Sequence, residues 1–148
     1  MRATGQSTEK KDKPHERPAN IDTSSILFGP VLNAELFNVE AKKVAKKLLE
    51  NGDEINKPTQ LRRFYDEICL WTEKVDGEEH AFQENLPFIR MMNAKAAYAN
   101  GRKLVDKNFV KLMHDGLSQV KDAATMRHFK LFMEAVMGFY KEMRPKDS

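Results

Sequence analysis

From Asn33 onward, apolar side chains recur every three or four residues, and no useful stretch alternates apolar with polar. That period belongs to helices sharing a core, because strands repeat every two residues. It restricts the chain to an all-α fold. Asn33 is placed to cap a helix reaching about Glu50, with Leu36, Phe37, Val44, Leu48 and Leu49 inward; Asn51-Gly52-Asp53 ends it. Pro58-Thr59 opens the next helix, with Thr59 as cap and Leu61, Phe64, Tyr65, Ile68, Trp71 and Val75 on the period; Gly77 breaks it. A short polar helix precedes Asn85-Leu86-Pro87, and another helix then runs to about Asn100. The last two span about Val105–Val120 and from near Asp122 to beyond Tyr140. Short connections favour antiparallel neighbours in a compact bundle of about five helices.

The chain has 148 residues, about one domain's worth. We expect a polar, disordered tail over 1–19, rich in Lys, Glu, Ser, Thr and Pro, and one helical-bundle domain over 20–148. Between them, Ile26-Leu27-Phe28 forms an apolar patch expected to dock on the bundle. The net charge is +3, and residues 1–18 carry five basic and three acidic side chains, so about +1 remains for the rest. A nonspecific polycation is excluded; binding to a phosphate backbone requires charge gathered on one face. One cysteine, no apolar N-terminal run and no bilayer-length apolar segment make the cytoplasm the expected compartment.

Catalytic and metal signatures are missing. There is no phosphate loop, no dinucleotide fingerprint and no repeated Glu-x-x-His. His15, His80, His114 and His128 are scattered, and Cys69 cannot build a zinc site; it reads as a small core residue. His114 and Asp115 are sequence neighbours expected on different helix faces. No enzyme, metal or cofactor is expected.

The stretch FIRMMNAKAAYANGR, Phe88 to Arg102, is the strongest functional signal. Phe88, Met91, Lys95, Tyr98 and Arg102 share one helical stripe, the position a core would occupy, with a lysine at its centre. An ammonium there must snorkel, pair or face an anion. Lys95 and Arg102 therefore read either as phosphate ligands or as a helix flank covering apolar surface. Tyr98 reads first as a half-buried aromatic, second as a stacking platform. Arg62 and Arg63, with Lys57, form a basic cluster near a helix start; the competing reading pairs Arg62 with Asp66 and Arg63 with Glu67 at i,i+4. Lys130 and Lys141 extend a basic face or are solvated charges. Glu134, inside an apolar run, reads as an orienter of an arginine. Met91, Met92, Met113, Met126, Met133, Met137 and Met143 support a rival class, a helical assembly adaptor without nucleic-acid contact.

TQLRRFYDEI (Thr59 to Ile68), LPFIRMMNAKAAYANGR (Leu86 to Arg102) and FKLFMEAVMGFYK (Phe129 to Lys141), in that order, resemble the small helical subunit, subunit two, of type III-A CRISPR effector complexes of the Csm type. The resemblance covers most of residues 33–143. It implies a small all-helical protein without catalytic activity. Its copies would stack along a ribonucleoprotein filament with backbone and large subunits, lining the channel where target RNA pairs with guide. No membrane and no small-molecule substrate are implied. By motif position it makes Arg62, Arg63, Lys95, Tyr98 and Arg102 RNA contacts and Glu134 a positioning group. The acidic stretch from Asp76 to Glu84 would weaken the RNA reading if it folded over that face.

Overall fold

The computed structural model describes residues 17–145. All regular structure among them is helical. A π-helical turn, Leu36–Glu40, runs straight into α1, Ala41–Leu48. There follow α2 (Pro58–Val75), α3 (Glu79–Arg90), α4 (Met92–Gly101), α5 (Lys107–Ser118) and α6 (Ala123–Met143). Counting the turn with α1, and α3 with α4, these make the expected five rods of an all-α bundle. The expected tail falls largely outside the described residues. Of its last residues, Arg17 donates to Asn51 Oδ1 at 3.3 Å.

Local chemistry accounts for the helix ends. Lys57 is extended (φ −63°, ψ 149°), as a residue before proline should be, so the cap position of α2 falls there and not on Thr59. Asp76 (φ 45°) and Gly77 (φ 74°) end α2 in left-handed backbone. Asp106 and Asp122 accept from the amides of Phe109 and Thr125, at 2.9 and 2.8 Å. Thr125 Oγ1 accepts the Asp122 amide in return, closing a capping box. Val105, expected in α5, is buried just ahead of it.

The long helix α6 lies at the centre, with α1, α2 and the π-helical turn against it. Phe129, Phe132, Met133, Val136 and Tyr140 are its buried face. The segment before the turn is an arm laid over α5 and α6. Ile26 and Phe28 are buried as expected, and so is Ile21, while Leu27 is exposed. The arm's polar backbone is satisfied by side chains of α5 and the residue after it. Asn108 Oδ1 accepts the amides of Asn20 and Ile21 at 2.8 and 3.0 Å. Gln119 accepts the Phe28 amide at 2.8 Å and donates to the Ile26 carbonyl. Thr23 Oγ1 donates to Asp115 Oδ2 at 2.6 Å.

Two expectations are corrected here. Pro87 does not open the stripe helix; it lies inside α3, and the break comes at Met91. The halves separate because they serve different neighbours: α3 packs on α2, α4 on α5. Arg90 fixes the junction by donating to the Val120 carbonyl at 3.1 Å. The Phe88-to-Arg102 stripe is not core either. Met92, Ala96 and Ala99 are buried, each one residue after Met91, Lys95 and Tyr98. One residue is about 100° of helix, so the stripe is the neighbouring, open flank.

Candidate nucleic-acid interface

That flank faces α2 across a groove of about 570 Å³. Its floor is apolar, built from Phe64, Ala99 and Leu104, and Arg63, Lys95, Tyr98 and Arg102 stand around it. Phe88 and Met91 are each 54% exposed and Tyr98 68%, so Tyr98 is a surface ring and not the half-buried aromatic expected. The Arg102 guanidinium lies over the Tyr98 ring, 5.9 Å from its centroid, a cation–π distance. Lys95 Nζ reaches both oxygens of Glu67, at 3.1 and 2.9 Å. Trp71 Nε1 donates to the same carboxylate at 3.0 Å and stacks on Phe88 with centroids 6.0 Å apart and planes 12° from parallel. Glu67 is thus held by two donors, and the groove carries three cations against this one carboxylate. Arg63 makes no ion pair among the described residues.

The other candidates go elsewhere. Arg62 is on the opposite flank of α2, pairing with Asp66 at 3.2 Å as the i,i+4 reading had it. It shares a groove of about 450 Å³ between α2 and α6 with Tyr65, Glu134 and Lys141. Arg63, by contrast, does not take Glu67, which Lys95 occupies. Glu134 binds Lys130 at 3.0 Å and no arginine, so its expected role as an arginine orienter is corrected: the i,i+4 lysine on its own helix is the nearer cation. Lys130 lines a third groove, of about 490 Å³, with Arg127, Glu73 and Asp76, a site of mixed charge. Cys69 also lines it, half-buried, where the sequence reading placed it in the core. Burial, and a hydrogen bond with Cys69, push the Tyr65 hydroxyl upward, keeping it neutral. Lys57 pairs loosely with Glu54 at 3.6 Å in solvent.

The acidic stretch stays off the α2–α4 groove. Asp76 is in the third groove, Glu78 caps α3, and Glu84 pairs with His80 at 3.4 Å. Glu79 accepts the Ala123 amide at 2.9 Å, at the start of α6. His114 and Asp115, expected on different faces, do meet, at 3.1 Å. Asp115 is also the acceptor for Thr23 and Lys111, which makes it an anchor of the arm. Burial pushes its pKa up, but hydrogen bonds from Lys111, Thr23 and His114 outweigh burial and hold the pKa at about 2. Met92, Met113, Met126 and Met133 are core side chains, Met137 and Met143 are packed against the core, and Met91 is exposed. No helix among the described residues is long and apolar enough to cross a membrane. No group of three or more His, Cys, Asp or Glu among them could hold a metal ion.

Two participants in this groove were missed by the sequence reading. Glu67 was assigned to Arg63, and its contact with Lys95 spans 28 residues, beyond any local spacing rule. Gln60 lines the groove and carried no signal.

Comparison with curated proteins and with solved structures gave no match. The family model for Csm2 Type III-A matches residues 32–146, nearly the whole chain beyond the arm. With a helical bundle and three quoted motifs inside that span, the chain belongs to the type III-A Csm2 family and is a subunit of the type III-A CRISPR Csm complex.

Proposed function

We propose that this chain lines the target channel of the complex as a non-catalytic subunit and holds the backbone of target RNA paired with guide. The observation that carries this reading is the meeting of Arg63, Lys95 and Arg102, from two helices, around one groove. Those cations supply charge and position, and base pairing supplies sequence. The Lys95 side chain is half exposed and exchangeable: phosphate oxygens can replace the carboxylate oxygens around it, while Glu67, the less exposed partner, keeps the Trp71 indole as a donor. One copy offers few contacts. Copies stacked beside the backbone and large subunits would raise affinity through effective concentration. The cytoplasm, where such RNA resides, is the compartment this reading requires.

Lys95→Ala with Arg102→Ala, in the assembled complex, is expected to weaken target-strand retention and to flatten the log–log salt slope by about 1.5 per copy, at 0.7–0.9 per lost phosphate contact. Arg62→Ala with Lys141→Ala, on the other flank, is expected to leave both nearly unchanged. Filter binding across a salt series reads the two pairs together. Equal retention by wild type and the Lys95/Arg102 pair, with assembly and helicity intact, would overturn the assignment.

A further inference from the structure

Backbone holding leaves the floor of the groove without a use. Phosphates need the rim cations alone, yet most of the surface below them is apolar, from Phe64, Ala94, Ala99 and Leu104. An A-form duplex offers little to such a floor, because its base faces are stacked inside and what it exposes is polar: phosphates, 2′-hydroxyls and base edges. At about 570 Å³ the groove is also far too small for a duplex and roomy enough for one flat ring with its sugar. Its charge selects the ligand's sign: Arg63, Lys95 and Arg102 against Glu67 leave about two positive charges at the mouth, which fits an anion and disfavours an uncharged apolar side chain from a protein partner. Tyr98 presents an exposed ring already braced by Arg102, a stacking partner suited to any base. Gln60 adds an amide able to donate and accept.

We infer that the groove between α2 and α4 receives one unpaired nucleobase of the bound RNA, its phosphates held by the rim cations. The inference rests on the backbone reading and goes beyond it, because it makes the subunit prefer RNA with an unpaired nucleotide. Extruding a paired base costs stacking and pairing, and an unpaired one is spared most of that cost.

The test uses the full-length chain and two guide–target duplexes, one fully paired and one with a single unpaired 2-aminopurine nucleotide in the target strand. The unpaired base is expected to tighten binding at least about fivefold and to change its fluorescence on stacking. Ala94→Leu, which narrows the groove and removes no charge, is expected to abolish that gain. An unpaired abasic nucleotide, which needs no variant to fold, is expected to show no gain. Equal binding of both duplexes, or an equal gain from the abasic site, overturns the base pocket. If the paired duplex still depends on Lys95 and Arg102 in that case, the backbone reading stands. If no duplex responds to those cations, both readings fall. A photoreactive benzophenone side chain at position 91, an exposed residue lining the groove, is expected to crosslink to RNA in the assembled complex; crosslinks to a protein subunit alone would assign the groove to a protein partner instead.

Discussion

Asn56 has no exposed surface and a φ of 56°, a left-handed conformation that asparagine tolerates better than most residues. Its amide donates to the Leu48 carbonyl and accepts the Asp106 amide, both at 3.0 Å. Its own carbonyl accepts from the Tyr140 hydroxyl and, at 3.4 Å, from Arg144. The side chain therefore ties the end of α1 to the start of α5, and the backbone carbonyl of the same residue ties in the end of α6. Asn56→Gly keeps the backbone conformation and strands two buried partners, so it is expected to cost about 3 kcal/mol in urea unfolding. Asn56→Ala is expected to cost about 1 kcal/mol more, because alanine resists the left-handed region. In sequence this residue is an ordinary loop asparagine, since its partners Asp106 and Tyr140 lie 50 and 84 positions away. Arg62 and Arg63 are the opposite case. Neighbouring helical residues diverge by about 100°, so their separation onto two flanks of α2 was legible from periodicity, and reading them as one cluster overlooked it.

Among the elements, α2 and α6 were legible because every cue agreed: period, proline or aspartate at the start, left-handed residues or a long apolar run after it. The α3–α4 junction was not. Pro87 is the visible breaker, but proline fits inside α3, and the break is set by which neighbours the two halves find. The arm shows the same dependence on distant partners, and its anchor is sensitive to acid. Above about pH 5, Asp115 is ionised whether the chain is folded or not, and the anchor acts in full. As the pH falls below the ordinary 3.8 toward about 2, the unfolded chain binds a proton that the folded chain resists, and the advantage drains away. That advantage is at most about 2 kcal/mol. The stability difference between wild type and Asp115→Asn, from urea titrations at several pH values, is expected to be largest above about pH 5 and to shrink steadily toward about pH 2. A difference that is flat with pH would remove Asp115 from the anchor.

At the scale of the molecule, a cationic groove lies on one side of α2, mixed-charge grooves flank α6, and the arm covers the seam between α5 and α6. The all-helical architecture was legible because the period alone dictates it. The gathering of Arg63, Lys95 and Arg102 was legible only as a requirement that any backbone binder with so little net charge must meet. The seam is a further case. The Phe28 ring centroid lies 6.0–6.3 Å from those of His128, Phe129 and Phe132, and Ile21 and Ile26 of the same arm are buried as well. Shortening the chain to residue 32 is expected to lower stability by about 3 kcal/mol, net of the arm's ordering entropy, with dye binding to the bared surface as a second readout. The family match begins at that same residue, so the plug for this seam comes from outside the shared portion of the chain. A relative without an equivalent leader must close the slot with bulkier residues on its own helices, or borrow a cover from whichever subunit stands beside it.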